Sequence, residues 1–312
     1  MRPTALWLAG WAVALLPLFA PVLSCARADD PDASVLFEEA AKRIRQDEYA
    51  QARQILVRIA SRYRGRSECA EARLQLAELL EREGRDRQAF RLYQRVADEY
   101  PGFRSRANDR QLDLCIRLMS PESPDGQEPG RRSHALVKDM LEKVYLNDPQ
   151  APRAARVQYH LGLYYEQAGQ PEVATVYYRY AAAAESEGEW HDRAFFGEAR
   201  ILYWDARSNR EGLDRARSAR RVLEAYLAHG SSGCYRGTAE RMLEETIRRI
   251  HALAFQCAQF YDRDRFSVNT RLTAFRTFLT EHPDSRQADY AKRRVRELLN
   301  RLVQAQAVLP AG

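Results

Sequence analysis

Residues 76–101 read LAELLEREGRDRQAFRLYQRVADEYP, and residues 161–181 read LGLYYEQAGQPEVATVYYRYA. The two stretches carry apolar, small and glycine positions at the same internal spacing. The aligned positions are Leu76-Ala77, Leu80, Gly84, Ala89, Tyr93 and Val96 in the first, and Leu161-Gly162, Tyr165, Gly169, Ala174, Tyr178 and Ala181 in the second. Because self-similarity at fixed spacing indicates a repeated supersecondary unit, the sequence predicts stacked helix pairs.

Each position has a physical role in such a unit. Ala77 and Leu80 lie one turn apart on the first helix and face the second helix. Gly84 supplies the turn, since glycine tolerates the left-handed conformation. Ala89 is the small contact on the second helix. A bulky side chain there should overpack the joint and destabilise the fold by about 1–3 kcal/mol. Pro101 ends the second helix. This pattern resembles the tetratricopeptide repeat.

Weaker copies extend the pattern on both sides. The stretch 46–49 (QDEY) predicts a turn before a helix with Ala52, Leu56 and Ile59. Further pairs are predicted at Ala107–Met119 with Leu136–Asn147, at His191–Ala206 with Leu213–Ala228, and at Gly237–Asp262 with Val268–Glu281, followed by a last helix at Ser285–Val303. The predicted fold class is therefore all-α, a right-handed solenoid of tetratricopeptide-type helix pairs with a C-terminal capping helix.

The first residues have the pattern of an export signal. Arg2 precedes an apolar stretch that ends near Leu23, and small residues follow. The run 22–25 (VLSC) resembles a lipobox, which implies an acylated Cys25. The run 26–28 (ARA) before Asp29 fits an ordinary cleavage site instead, which would release an unanchored protein. Both alternatives remain open, and lipidation of Cys25 is favoured because a Cys directly after an export core is uncommon by chance. Several acyl chains on this Cys would anchor the protein stably.

These patterns divide the chain as follows. We predict a lipoprotein-type export signal over 1–24 and a flexible tether over 25–33. The tetratricopeptide-repeat domain covers 34–303, with an exposed loop at 120–132 that is rich in Pro and Gly. A disordered tail covers 304–312.

Composition and motifs argue against nucleic acid and against catalysis. The net charge is +6, but 43 acidic residues alternate with 49 basic ones along the predicted helices, which is typical of an ion-paired surface. We interpret the tyrosines at 164, 165, 177, 178 and 180 as packing residues rather than as a platform for bases. The six histidines are scattered, no metal or nucleotide motif is present, and Cys69, Cys115, Cys234 and Cys257 lack a C-x-x-C spacing. We expect no enzyme activity, no metal and no cofactor.

A closer resemblance rests on the ends of the repeat region. The order of the 46–49 turn, Glu99-Tyr100-Pro101, the aromatic run 255–261 and the run 281–285 (EHPDS) resembles the outer-membrane β-barrel assembly lipoprotein family called BamD. The resemblance covers the first two repeats and the last hundred residues, and the middle section 120–190 looks longer. It implies a lipid-anchored scaffold on the periplasmic face of the outer membrane that binds the barrel-forming assembly factor and unfolded outer-membrane proteins. The alternative is a soluble periplasmic repeat scaffold for cell-envelope or division complexes.

Peptide binding along a repeat groove predicts contacts from the first helix of each pair. The predicted contact residues are Leu74, Glu78 and Glu81 in one repeat, and Tyr159, Leu163 and Glu166 in another.

Overall fold

The computed structural model describes residues 32–119, 131–185, 187–208, 212–229 and 234–307. Within these ranges the protein is all-helical, with thirteen α-helices and no strand. The helices are α1 (Ala33–Arg45), α2 (Tyr49–Arg62), α3 (Ser67–Arg82), α4 (Asp86–Glu99), α5 (Arg104–Met119), α6 (Arg131–Asn147), α7 (Ala154–Gln167), α8 (Pro171–Ala184), α9 (Glu189–Ser208), α10 (Leu213–Ala228), α11 (Arg236–Tyr261), α12 (Val268–Glu281) and α13 (Ala288–Ala307).

The helices form six consecutive pairs and a capping helix, stacked as a helical repeat solenoid. Every helix packs against the next one in the chain, and α7 also contacts α5 and α9. The core is correspondingly divided into clusters along the stack, with one cluster between α1 and α3, a larger one from α3 to α7, and another between α11 and α13. None of the helices in the described ranges has an apolar stretch long enough to cross a bilayer.

Three turns have the same construction. Gly84 and Gly169 adopt φ of 69° and 73°, and Asp47 takes the equivalent place with φ of 59°. In each turn the next residue's amide donates to a carbonyl five residues earlier, at 2.8–2.9 Å. This bond satisfies a carbonyl at the end of the first helix and reverses the chain in three residues. Aspartate is among the few residues that tolerate this conformation, so the first turn needs no glycine.

The helix boundaries confirm the predicted order with small shifts. α4 ends at Glu99, before Pro101, and a short 3-10 turn over Pro101–Phe103 leads directly into α5. α5 therefore begins three residues earlier than predicted. α6 begins at Arg131, inside the predicted loop 120–132, and residues 120–130 lie outside the described ranges. α13 continues to Ala307, so the residues at 304–307, predicted to belong to a disordered tail, are helical.

Two polar clusters fix helices that the apolar core alone would leave free to slide. The first joins α4, α5 and α6: Asn147 exchanges hydrogen bonds with Gln94 at 2.9 Å in both directions and donates to the buried Asn108. The second fixes the cap: Asp262 accepts from Arg271 of α12 at 3.0 Å and from Arg294 of α13 at 2.7 Å. Buried polar groups that are satisfied only in one arrangement specify that arrangement.

The joint between α7, α8 and α9 is closed by a tyrosine between two glycines. A Cβ on Gly162 would lie 2.6 Å from Tyr178 Cδ1, and a Cβ on Gly197 would lie 2.9 Å from Tyr178 Cε2. The ring of Tyr178, which is fully buried, therefore occupies the space that the two absent side chains leave. This confirms the sequence interpretation of Gly162 as a residue for close approach.

We expect Gly162→Ala to destabilise the fold by about 1–3 kcal/mol, because the added methyl group overlaps the ring and the helices must separate. The free energy of unfolding from denaturant titration measures this. Gly237→Ala in the first turn of α11 is the matched control, since nothing lies within 4 Å of its added Cβ. Equal stability of the two variants would contradict the close approach at Gly162.

Candidate functional site

The first helices of the pairs are the odd-numbered helices, and the sequence predicts that their surface binds peptides. Hydrogen bonds and ion pairs join the polar side chains of this surface to one another. Tyr93 of α4 is fully buried, and its hydroxyl donates to Glu81 Oε1 at the end of α3 at 2.5 Å. Arg117 of α5 pairs with the same carboxylate at 3.1 Å. Burial and the neighbouring carboxylate raise the pKa of Tyr93, so the phenol stays protonated and remains the donor.

The same arrangement recurs in the pair formed by α7 and α8, two pairs further along the stack. The Tyr178 hydroxyl donates to Glu166 Oε2 at 2.6 Å, and Arg200 of α9 binds both oxygens of that carboxylate at 2.7 and 2.9 Å. Burial and the hydrogen bond to Glu166 likewise raise the pKa of Tyr178. In both repeats a carboxylate at the end of one odd helix thus joins its own pair to the following odd helix.

Further ion pairs link successive odd-numbered helices on this surface, which we call the odd-helix face. Arginines of α5, and arginines at the start of α7, reach acidic residues on the preceding odd-numbered helix. The pairs are Arg106–Glu71 and Arg110–Glu78 between α5 and α3, and Arg153–Asp109 and Arg156–Asp113 between α7 and α5. Because most of these side chains are partly exposed, each pair stabilises the fold by only about 0–1 kcal/mol. Together they engage these charged groups of the face in contacts within the protein.

The structure corrects one predicted contact residue and gives others a role within the fold. Leu74 is completely buried, so the prediction that its side chain contacts a peptide is wrong. α3 lies between α2 and α4, and Leu74 fills the cluster on the α4 side. Glu81 and Glu166 hold the joints just described, and Glu78 pairs with Arg110 at 2.7 Å. Peptide binding by these three carboxylates stays a prediction.

Tyr159 and Leu163 are the remaining predicted contact residues, and they lie in an aromatic part of the odd-helix face. Both are half-buried. The Tyr159 ring lies 5.6 Å from the Trp190 ring, and the guanidinium groups of Arg156 and Arg193 stand 5.4 and 5.3 Å from the Trp190 centroid. Aromatic and arginine side chains together are typical of protein-interface hot spots. The sequence interpretation placed Tyr159 here but missed the contribution of Trp190, which comes from a different pair.

His160 lies buried behind this cluster. Its residue surface is 8% exposed, and neither ring nitrogen has a hydrogen-bond partner among the described residues. Burial, followed by the charges of Arg156 and Arg193, lowers the pKa of His160 to about 4. The imidazole is therefore neutral near pH 7 and acts as a packing group.

Tyr180 departs from the interpretation of all five tyrosines as packing residues. Tyr178 is buried, but Tyr180 is 58% exposed on α8. It lies on a groove of about 630 Å³ between α6 and α8, away from the predicted contacts. Val173 and Val176 lie seven and four residues before Tyr180, and this spacing on one helix face was the signal available in the sequence.

The other sequence expectations concern Cys25 and metals. Cys25 lies outside the described residues, so its acylation stays a prediction. In the part of the chain that the structure describes, no group of three or more His, Cys, Asp or Glu side chains is placed to hold a metal ion.

Comparison with known proteins identifies the repeat. Residues 71–102, which cover most of α3 and all of α4, match the tetratricopeptide repeat family model. No curated protein matches the chain. A tetratricopeptide-repeat scaffold of this kind suggests protein–protein interaction.

Solved structures similar to the chain include three bacterial proteins. Residues 41 to the end of MamA from Desulfovibrio magneticus share 18% identity, with a TM-score of 0.37, over 65% of this chain and 97% of that one. The C-terminal part of a TPR repeat-containing protein from Cytophaga hutchinsonii shares 14% identity, with a TM-score of 0.44, over 83% and 87%. PilF from Pseudomonas aeruginosa shares 15% identity, with a TM-score of 0.36, over 83% and 96%.

We expect Tyr178→Phe to lower the free energy of unfolding by about 1–3 kcal/mol, because it leaves the partly buried Glu166 with one donor fewer. Denaturant titration measures the loss. Tyr180→Phe removes the same hydroxyl from an exposed ring two residues away and should change nothing. Equal effects of the two substitutions would show that the bond to Glu166 does not hold the joint.

We also expect His160 to make stability fall on acidification. Its folded-state pKa, about 4, lies below the ordinary value of 6.5. Between these values the unfolded chain binds a proton that the folded chain excludes, so stability is present above pH 6.5 and is lost as pH falls towards 4. The wild type should lose up to about 3 kcal/mol more than His160→Leu between pH 7 and 4, measured by denaturant titration at each pH. Parallel pH profiles would contradict a neutral buried imidazole.

Proposed function

We propose that this chain is a non-catalytic, lipid-anchored scaffold of outer-membrane β-barrel protein assembly. The observation that carries the proposal is the order and spacing of the repeat motifs at both ends of the domain, which resemble the BamD family, together with the lipobox-like run that ends at Cys25. The partners would be the barrel-forming assembly factor and segments of unfolded outer-membrane proteins. The protein would lie on the periplasmic face of the outer membrane, and several acyl chains on one cysteine would suffice to hold it there.

The geometry supports a binding role for the odd-helix face near α7 and α9. The ion pairs between α3, α5 and α7 hold that side of the stack in one arrangement, so a partner meets a preformed surface. The half-buried Tyr159 and the Trp190–arginine cluster offer a rigid aromatic contact within it. An unfolded segment with apolar side chains would bury them against this aromatic cluster.

A soluble periplasmic scaffold for envelope or division complexes is the alternative, favoured by the ARA run at 26–28 before Asp29. Such a protein would use the same repeat domain without an anchor. The two proposals differ in the mature N-terminus, in the membrane partition and in the partner.

The test is expression from the protein's own signal in a bacterial host, followed by intact mass measurement, membrane fractionation and gentle detergent extraction. We expect a chain that begins at an acylated Cys25, lies in the outer-membrane fraction and co-purifies with the barrel-forming assembly factor. Cys25→Ser is the matched control and should lose both the added mass and the membrane association. A chain beginning at Asp29 in the periplasmic fraction would favour the alternative, and an acylated protein that never recovers the assembly factor would overturn the role in barrel assembly.

A further inference from the structure

Helix α8 carries an apolar stripe that the described part of the chain leaves exposed. Val173, Val176 and Tyr180 are 37%, 43% and 58% exposed, and Tyr177 between them is half-buried. These positions follow the i, i+3, i+4, i+7 spacing and therefore share one face of the helix. An outward stripe of this regularity on a helix of a strongly charged protein is the pattern of a contact surface for another helix.

The second half of the stripe, Tyr177 and Tyr180, forms one wall of a groove together with Ala183 and Ala184. The opposite wall is the end of α6, where Leu146 is 68% exposed beside Tyr145, and the floor is α7. The groove has a volume of about 630 Å³. From Val173 to Ala184 the stripe and the wall together extend about 17 Å along α8, enough for about three turns of a partner helix.

The floor contains a buried acceptor without a donor. Gln158 of α7 is only 6% exposed, and its side-chain oxygen Oε1 has no hydrogen-bond partner in the described part of the chain. Buried polar atoms are almost always paired, so this carbonyl oxygen is an acceptor that a donor of a bound partner can use. Apolar walls with one such polar group are typical of a preformed binding site.

The charge of the groove indicates which donors fit. Among the residues that the structure describes, its lining includes the Glu142 carboxylate and no lysine or arginine, although the whole chain has a net charge of +6. Glu142 lies 3.7 Å from Lys138, which stands outside the lining. Acceptors therefore outnumber cations at the surface that a ligand would meet, and a partner rich in N–H donors and positive charge complements it.

We propose that the groove between α6 and α8 binds an amphipathic helix of a partner protein, with an apolar face bordered by lysine or arginine. The partner's apolar side chains cover Leu146, Val176 and Tyr180, and a donor from its basic border reaches towards Gln158 and Glu142. The groove lies within section 120–190, which the BamD resemblance does not cover. Its lining includes neither Tyr159 nor Trp190 of the odd-helix face. The interaction is therefore separate from the contact proposed on that face and does not depend on the anchor at Cys25.

The test is fluorescence anisotropy with two labelled model peptides and the purified mature chain. One peptide is an amphipathic helix of about four turns made of Leu and Lys, and the other has Glu at every Lys position. We expect the Leu/Lys peptide to bind at least about tenfold more tightly than the Leu/Glu peptide. Leu146→Glu and Tyr180→Glu should each weaken its binding by about tenfold or more, because they place charge in the apolar walls.

Val57→Glu on α2 is the matched control, since Val57 is a 50% exposed apolar residue on another even-numbered helix outside the groove. It should leave the affinity unchanged, and circular dichroism should show that all three variants keep the wild-type helix content. The proposal is overturned if the Leu/Lys peptide does not bind, if both peptides bind equally, or if Leu146→Glu and Tyr180→Glu bind as the wild type does. Equal weakening by Val57→Glu would also overturn it, because the binding would then be general adhesion to apolar surface.

Discussion

The buried tyrosine on the second helix of a pair determines how this protein stacks. A helix pair cannot cover its apolar surface alone, so each pair must meet the next at a fixed distance. Tyr178 sets that distance, because its ring fills the space between Gly162 and Gly197 on two successive odd helices. Its hydroxyl is buried and needs an acceptor, and Glu166 supplies it while binding Arg200 of the next pair. Shape and hydrogen bonding thus favour a single arrangement of three helices.

The sequence predicted the local features of this fold well because they depend on short spacings. A left-handed residue lies five positions before a small residue in all three regular turns, whether it is Gly84, Gly169 or Asp47. The cross-links were not predictable in the same way. Arg200 and Glu166 are 34 residues apart, and nothing in either neighbourhood shows that α9 will place one beside the other. Such contacts follow from the packing of whole helices.

Leu74 shows where pattern reasoning fails for an interior helix of a repeat array. The prediction assigned Leu74, on the first helix of a pair, to the peptide groove. α3 instead lies between two even-numbered helices and buries two sides: Ala72 and Leu79 pack in the cluster with α2, whereas Leu74 and Ala77 pack in the cluster with α4. Only a narrow strip of α3 remains for a partner, and Glu78 lies on it, already paired with α5.

The odd-helix face and the outer side of α8 differ in how freely their residues can change to bind a partner. Along α3, α5 and α7, charged side chains pair with one another, so a change there alters the stack itself. On the outer side of α8, Val176 and Tyr180 are exposed and lie outside the buried core, so a change there leaves the stack intact. Each core cluster is local to a few helices, so an extra pair adds surface without disturbing distant packing. A new contact on the outer side of α8 therefore disturbs the fold least, and the apolar stripe that the described residues leave exposed lies there.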